Sequence, residues 1–295
     1  MDSMRKGLLY AIAAYTMWGL LPLYWRWFET IGAGEILSHR IVWSFVFVAG
    51  LIIVQRRGKE IRAILGNRAT LLTLTASSLL ITSNWLIFIW AVNNGHVIET
   101  SLGYYLTPLI NVVLAIAFLG EKPTTGQWAA IAIAGSGVLL VAIDYGSFPW
   151  VSLSLSISFG LYGLVKKRMR VDATDGLLLE TAVVVPLALL YFLYIGYSHE
   201  AHAWSLPTGT FLALLASGVA TAVPLLFFAR AASRLPLSML GFIQYIGPTL
   251  TLGLSVFVFN ETITPVLLIS FTLIWSALIV YAWASVQSAR SLRTA

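Results

Sequence analysis

The chain has no cysteine and very few charged residues. Only 10% of its 295 residues are Asp, Glu, Lys or Arg, against roughly 25% in an ordinary soluble domain. The absence of cysteine excludes a disulfide framework, a thiolate nucleophile and a cysteine metal site. The shortage of charge excludes a water-soluble fold, because too few charged side chains are available to cover its surface.

Long apolar runs take the place of the missing charge. Hydrophobic residues make up 59% of the chain and the mean hydropathy is +0.86. The runs are about 20 residues long, which is the length a helix needs to cross a hydrocarbon core of about 30 Å. Spanning β-strands would instead show alternating segments of about 10 residues. The sequence therefore predicts an all-α membrane protein embedded in a lipid bilayer.

Ten transmembrane helices are predicted from these runs, joined mostly by short connections rich in Gly, Pro or Asn. They cover residues 6–25, 34–54, 70–92, 97–118, 124–143, 149–166, 174–196, 209–230, 235–258 and 264–286.

The basic residues indicate how these spans are oriented. With a cytoplasmic N-terminus, all but two of the 18 Lys and Arg lie on cytoplasmic segments, the exceptions being Arg26 outside and Arg40 within a span. Such a bias is the positive-inside signal, and it predicts that both termini are cytoplasmic. The net charge of +6 is therefore interpreted as a topology signal, and no nucleic-acid partner is expected.

An internal repeat divides the chain. Segment 101–124 aligns with segment 241–264, so that Pro108 matches Pro248 and Glu121 matches Glu261. This predicts two repeats, 1–143 and 144–295, of five spans each. Because five is odd, the second repeat would cross the membrane in the opposite direction, as an inverted-topology repeat. Such repeats suit alternating access, since two similar halves can expose one central site to either face in turn.

The quoted features resemble a known group of membrane carriers. Ten spans in a five-plus-five inverted repeat, with a Pro in spans four and nine and a Glu after each, are similar to the EamA-type branch of the drug/metabolite transporter superfamily. Four segments resemble its RarD group, which is named for chloramphenicol sensitivity. These segments are residues 18–25 (WGLLPLYW), 38–44 (SHRIVWS), 84–85 (NW) and 158–163 (SFGLYG).

The resemblance implies a function. It implies a multi-pass protein of the bacterial inner membrane that carries a small polar metabolite or drug, with an amino-acid-like solute as the favoured cargo and export as the favoured direction. No cofactor, metal site or catalytic residue is expected. Coupling to a proton or to counter-flow of a solute, and a monomeric or homodimeric state, all remain open.

Ionisable residues inside the spans are the first candidates for a binding site. His39 and Arg40 lie in span two, and Glu180 lies at the position in span seven that matches His39. Charged groups within spans are costly and tend to line a cavity or to pair with one another. We expect two polar rims on one central cavity, with Arg40 for a substrate carboxylate or phosphate and Glu180 for an amine or a coupling proton. The alternatives are an Arg40 that snorkels to the headgroups and a Glu180 bonded to neighbouring side chains.

A second layer of candidates combines polar and aromatic character. Asn84, Tyr104 and Gln244 are candidates for substrate recognition, with hydrogen bonds between helices as the alternative. Trp85 is the best candidate among the tryptophans for stacking on a ligand. Finally, Pro108 and Pro248 are predicted bends with a role in gating or only in shape. Neither proline is predicted to bind the substrate.

The paired loop glutamates have a structural interpretation. Glu121 and Glu261 are predicted to cap spans five and ten, because a negative charge is favourable near a helix N-terminus. Contacts at a gate are the alternative.

Two other classes of function are alternatives to a carrier: an intramembrane enzyme, and a channel or sensor. A lipid-modifying intramembrane enzyme needs clustered carboxylates or His/Glu sets at helical spacing, and the span interiors offer one clear carboxylate, Glu180. A channel or sensor would not require the inverted repeat. The sequence therefore favours a carrier.

Overall fold

A computed structural model describes residues 2–28, 31–94, 96–146, 148–198, 206–258 and 264–294 of the chain. Every regular element in these residues is a helix. The α-helices are α1 Asp2–Trp25, α2 Ala33–Val54, α3 Gly58–Leu65, α4 Arg68–Asn93, α5 Val97–Leu119, α6 Thr125–Tyr145, α7 Trp150–Arg168, α8 Ala173–Tyr197, α9 Thr208–Ala232, α10 Leu237–Gln244, α11 Ile246–Phe257 and α12 Pro265–Thr294, and a 3₁₀ turn follows α1 at Arg26–Phe28.

The predicted membrane helices are all present as helices, but fewer than ten of them meet the length and hydropathy expected of a span. Nine segments of the described residues are long and apolar enough to cross a membrane. The predicted sixth span, α7, is not among them, and it carries Lys166, Lys167 and Arg168 in its last turn. The protein is therefore an all-α multi-pass membrane protein, and ten spans stay a prediction.

The structure corrects the predicted helices in two places. The connection 55–69 contains α3, a short amphipathic helix with no buried residue. The predicted ninth span is divided into α10 and α11 at Tyr245. Pro248 contributes to the division, because it has no N–H to donate to the carbonyl of Gln244 and its ring crowds that carbonyl. Pro108 occupies the matching position in α5, which nevertheless continues from Val97 to Leu119.

Contacts between helix ends define two ends of the bundle. Near the start of α1, the Arg234 guanidinium lies 5.4 Å from the ring centre of Tyr10, and Arg234 belongs to the turn between α9 and α10. At the other end, the Tyr24 hydroxyl of α1 donates to the carbonyl of Ala213 near the start of α9. We call these the N-terminal end and the opposite end.

A bidentate ion pair ties α2 to α8 at the N-terminal end. Arg57 Nε and Nη2 donate to the two carboxylate oxygens of Asp175 at 2.8 and 2.6 Å. This hydrogen bonding raises the pKa of the Arg57 guanidinium. Asp175 is buried, so Arg57 neutralises a charge that would otherwise be costly. At least one residue of the basic 55–69 connection therefore has a packing role besides its role in topology.

The packing of the helices follows the predicted repeat. Helix α1 packs against α9 and α11, and α7 packs against the corresponding helices of the first half, α4 and α5. Two matched glycines permit the close approaches: a Cβ on Gly19 would lie 2.8 Å from Leu250 of α11, and a Cβ on Gly160 would lie 2.8 Å from Ile110 of α5. This correspondence is what two related repeats would produce. The repeats and their inverted orientation stay a prediction.

Aromatic rings form the centre of the largest apolar cluster. Phe228 of α9 stacks on Tyr162 of α7 with ring centres 5.7 Å apart and lies 5.7 Å from Trp18 of α1. All three helices therefore meet at Phe228, which is 1% exposed. This cluster fixes the middle of the bundle.

Candidate functional site

Arg40 of α2 lies between two indole rings. Its guanidinium carbon is 4.7 Å from the ring centre of Trp25 and 5.3 Å from that of Trp85. Its Nε donates to Thr221 Oγ1 of α9 at 3.0 Å. Cation–π contacts of this kind stabilise a cation most where water is excluded. Arg40 therefore lies within the bundle, held by α1, α4 and α9, and does not snorkel to the surface.

A close approach of α2 and α9 brings Arg40 to Thr221. A Cβ on Gly218 would lie 2.2 Å from the carbonyl carbon of Trp43, so only glycine permits this separation. Ser44 Oγ donates to the Gly218 carbonyl at 2.9 Å and closes the contact. Small residues and hydroxyl donors are common devices for packing membrane helices closely. Arg40 is one helical turn from Ser44, which places it beside α9.

Tyr104 of α5 is an accessible side chain close to Arg40. The two side chains lie near each other, and the Tyr104 ring lies 6.1 Å from that of Phe88 on α4. Tyr104 is 49% exposed and Arg40 is partly exposed. Accessible side chains of α2 and α5 that lie close together border a space between these helices. We call this space, bordered by Trp25, Arg40, Trp85, Tyr104 and Thr221, the Arg40 chamber.

Access along α5 ends one turn after Tyr104. Pro108 is buried against α10, where a Cβ on Gly241 would lie 2.9 Å from the Pro108 carbonyl oxygen. One turn further, the Asn111 amide donates to Gln244 Oε1 at 3.3 Å. Gln244 is 6% exposed. This predicted recognition residue therefore helps to seal the chamber towards the N-terminal end.

Glu121 does not cap the helix that the sequence predicted. Thr124 and Gln127 form a capping box at the start of α6, the predicted span five. The Glu121 carboxylate instead accepts from the N–H of Leu237 at 2.7 Å and from the hydroxyl of Ser238 at 2.5 Å, at the start of α10. Capping requires that the carboxylate lie close to exposed N–H groups, and it does not require adjacency in sequence. Glu121 therefore caps α10, which is close in space, and not α6, which follows it in the chain. Its counterpart Glu261 lies outside the described residues.

His39 is buried beside the chamber and not in it. It is 5% exposed, and its Nδ1 accepts from the indole N–H of Trp43 at 3.1 Å. Its ring lies edge-on to Phe192 of α8 at 4.8 Å. His39 therefore fills the contact between α2 and α8.

Glu180 is paired with a lysine that the sequence had placed among the topology signals. Lys166 Nζ lies 2.6 Å from Glu180 Oε1, and the two side chains are 4% and 2% exposed. The second carboxylate oxygen, Oε2, has no hydrogen-bond partner among the described residues. Lys166 is buried, so it has a role in packing besides its predicted role in topology, and the Glu180 charge is already compensated. The two predicted polar rims thus do not meet in one cavity.

The Asn84 amide group donates its hydrogen bonds to a neighbouring helix. Its Nδ2 donates to the Leu155 carbonyl at 2.8 Å and to Ser158 Oγ at 2.9 Å, both on α7. This joins α4 to α7 and holds the next residue, Trp85, against Arg40. Of the predicted candidates, the structure therefore brings together Arg40, Trp85 and Tyr104.

A separate cavity lies at the N-terminal end. It measures about 140 Å³ and is bordered by side chains at the ends of α7 and α9 and at the start of α8, which include Lys166, Asp172, Arg230 and Arg234. Lys166 faces this cavity while paired to Glu180. It is distinct from the Arg40 chamber, whose bordering residues it does not share.

Known proteins are similar to this chain over nearly its whole length. Residues 5–143 match the family described as the EamA-like transporter family. The chain is 44% identical to the "Uncharacterized transporter YojE" of Bacillus subtilis, over 98% of each chain. It is 42% identical to the "Protein RarD" of Escherichia coli, over 97% of each chain.

A solved structure is similar in fold. A crystal structure superposes with a TM-score of 0.70 over 94% of this chain and 97% of that chain, at 16% sequence identity. At this identity the likeness shows the fold alone.

Proposed function

Because the chain belongs to the RarD group of the EamA-like transporter family, we propose that it is a secondary transporter of the bacterial inner membrane. It moves a small polar organic solute by alternating access through the Arg40 chamber. The relatives bear the name of transporters, which favours a carrier over an enzyme.

One observation carries the proposal: a charged space inside the bundle that is accessible on one side and sealed on the other. Tyr104 is 49% exposed, whereas Asn111, seven residues further along α5, is 2% exposed. Beyond Asn111, Glu121 holds the start of α10. A carrier needs one site and a closed barrier, and the barrier must change sides in each cycle.

The proposed cycle uses the two repeats. In this cycle the described state is assigned as the one with the N-terminal end closed and the chamber open towards the opposite end, which the burial of Asn111 and the exposure of Tyr104 support. Exchange of the conformations of the two repeats would produce the state of opposite access. With both termini in the cytoplasm, as the basic residues predict, the chamber faces the outside here, and an exporter would release its solute from this state.

The rival functions make different demands. An intramembrane metalloenzyme needs a cluster of ligands, and the described residues hold no group of three or more His, Asp or Glu that would serve. A channel needs a path that is open at both ends at once, and the packing of Pro108 on Gly241 is the opposite arrangement.

Reconstitution tests the proposal. Proteoliposomes are loaded with a defined mixture of amino acids, sugars, organic acids and drugs, and protein-dependent release is measured by mass spectrometry. A released solute is then tested for counter-flow, in which an unlabelled internal pool drives accumulation of labelled solute. A carrier gives counter-flow, whereas release without counter-flow indicates a channel. If no solute class shows either release or counter-flow, the proposal of transport is rejected.

A further inference from the structure

The hydrogen-bonding capacity left on Arg40 points to a type of ligand. Its Nε donates to Thr221, and its guanidinium carbon lies over the rings of Trp25 and Trp85. The two terminal nitrogens have no hydrogen-bond or ion-pair partner among the described residues. These two nitrogens carry parallel N–H groups suited to a carboxylate or a phosphate.

A second unpaired donor lies nearby. The Tyr104 hydroxyl makes no hydrogen bond to any residue in the described part of the chain, and the phenol lies near the Arg40 guanidinium. A phenol donates one hydrogen bond, so Tyr104 and Arg40 together can bind one anionic group.

Among the described residues, no carboxylate pairs with Arg40. The ionisable side chains near its guanidinium are Tyr24 and Tyr104. Glu180 is held by Lys166, and the charge of Glu35 acts on His39. An amine that enters the chamber would therefore lose its hydration close to Arg40 without an acidic partner, which is costly.

Aromatic rings supply the rest of the lining. Phe88 lies 6.1 Å from Tyr104, ring centre to ring centre, and Trp85 borders the same space through its contact with Arg40. Flat apolar groups pack well against such rings.

We propose that the Arg40 chamber binds an organic anion: a carboxylate or phosphate on a flat apolar body, with no cationic group. The anion binds the end of the Arg40 guanidinium and the Tyr104 hydroxyl. This inference rests on the proposed function and names its class of substrate. It replaces the amino-acid-like solute expected from the sequence with an anion that lacks the amine.

A set of ligands with one ring and different charges tests the inference. Phenylacetate, phenyl phosphate, phenylalanine, phenethylamine and phenylacetamide are titrated against the purified protein in phosphatidylcholine nanodiscs, with calorimetry and thermal unfolding as readouts. We expect phenylacetate or phenyl phosphate to bind more tightly than the zwitterion, the cation and the amide. Equal binding of all five, tighter binding of a non-anionic member, or no binding up to the solubility limit would overturn the inference.

Variants locate the binding. Arg40→Gln should weaken anion binding roughly 10- to 100-fold, which corresponds to the loss of a charged hydrogen bond. Arg40→Lys keeps the charge but not the flat paired donors, so its affinity for the anion should lie between those of the wild-type protein and Arg40→Gln. The matched control is Arg230→Gln, which removes another arginine that lies over a ring, 5.8 Å from Tyr10, outside the chamber. Anion binding that survives Arg40→Gln, or is lost equally in Arg230→Gln, would overturn the inference.

Two further arms separate the sources of the anion and the levels of the claim. Titration is repeated in nanodiscs that contain phosphatidylglycerol. If only this lipid stabilises the protein in an Arg40-dependent manner, the ligand is a lipid headgroup and the solute inference is wrong. In the proteoliposome assay, counter-flow of neutral or cationic solutes alone would reject the anion and keep the carrier, whereas no counter-flow of any solute would reject the carrier itself.

Discussion

The carboxylate of Glu121 caps a helix that begins 116 residues further along the chain, at Leu237. It follows α5 of the first predicted repeat and accepts from the N–H of Leu237 and from the hydroxyl of Ser238, both on α10 of the second repeat. Tyr281 of α12 donates to the same Ser238 hydroxyl at 3.1 Å. Lys167 adds a bond to the Leu235 carbonyl at 2.5 Å. The two halves are thus joined by hydrogen bonds at the N-terminal end.

Removal of the Glu121 carboxylate should open this end. Glu121→Ala leaves the first N–H groups of α10 without an acceptor, and loss of such a cap costs about 0.5–2 kcal/mol. Leu235, which is fully buried beside the joint, reports the opening when replaced by cysteine, since the chain has no other cysteine. Maleimide should label Leu235→Cys roughly 2- to 30-fold faster in the Glu121→Ala background.

The control for this measurement is Glu60→Ala, which removes an exposed carboxylate of α3. It should leave the labelling rate unchanged. An unchanged rate in Glu121→Ala itself would show that the joint does not hold the end closed.

The Lys166–Glu180 pair makes a prediction about stability. Removing one partner of a buried ion pair leaves an uncompensated charge, which costs about 3–5 kcal/mol. Glu180→Leu alone and Lys166→Met alone should each destabilise the protein by that amount. The double variant should recover most of the loss, because it removes both charges from an interior in which they are 2% and 4% exposed.

Unfolding titrations with SDS, followed by tryptophan fluorescence, measure this cycle. Simple additivity of the two single losses would mean that the pair does not interact. Counter-flow by the double variant is the separate functional readout: if it is retained, Glu180 is not needed for coupling.

The sequence predicted the helices well because their signal is local. A run of about 20 apolar residues is sufficient to identify a span, and the predicted bounds of 34–54 and 174–196 differ by at most one residue at each end from Ala33–Val54 and Ala173–Tyr197. The break at Tyr245 was harder to predict. Pro108 and Pro248 remove the same hydrogen bond, and only the packing around each decides whether the helix divides.

The binding candidates show what a local pattern omits. Arg40 was identified because a charge within a span is conspicuous. Its partners Trp25 and Thr221 carry no such signal, because an aromatic or a hydroxyl side chain is ordinary in a membrane helix. Lys166 and Glu180 lie 14 positions apart on different helices, so their pairing depends on how α7 and α8 pack. Side chains that meet across helices leave no periodic signal in a single sequence.

The contact of α2 with α9 predicts a strong effect of one methyl group. Gly218→Ala would place a Cβ 2.2 Å from the backbone of Trp43, which cannot move aside without displacing α2. Overpacking of this kind costs about 1–3 kcal/mol, and it should also separate Arg40 from Thr221. The matched control is Gly135→Ala in α6, where a Cβ would meet nothing within 4 Å; it should be neutral or stabilise by about 0.5–1 kcal/mol.

Unfolding titrations compare these two glycine variants. Equal stability of Gly218→Ala and Gly135→Ala would contradict the close contact of α2 with α9.

Neighbouring tyrosines on α5 give the most direct test of the chamber. Tyr104 is 49% exposed and Tyr105 is 6% exposed, because consecutive helical side chains point about 100° apart and Tyr105 packs on Phe271 of α12 with ring centres 5.1 Å apart. In the cysteine-free chain, a small water-soluble thiol reagent should therefore modify Tyr104→Cys quickly and Tyr105→Cys slowly. The thiol reacts as the thiolate, which forms far more readily in water than against lipid or apolar side chains. Slow reaction at Tyr104→Cys would mean that this position does not face an aqueous space, and equal rates at the two positions would contradict the burial of Tyr105; in either case the chamber would lose its main support.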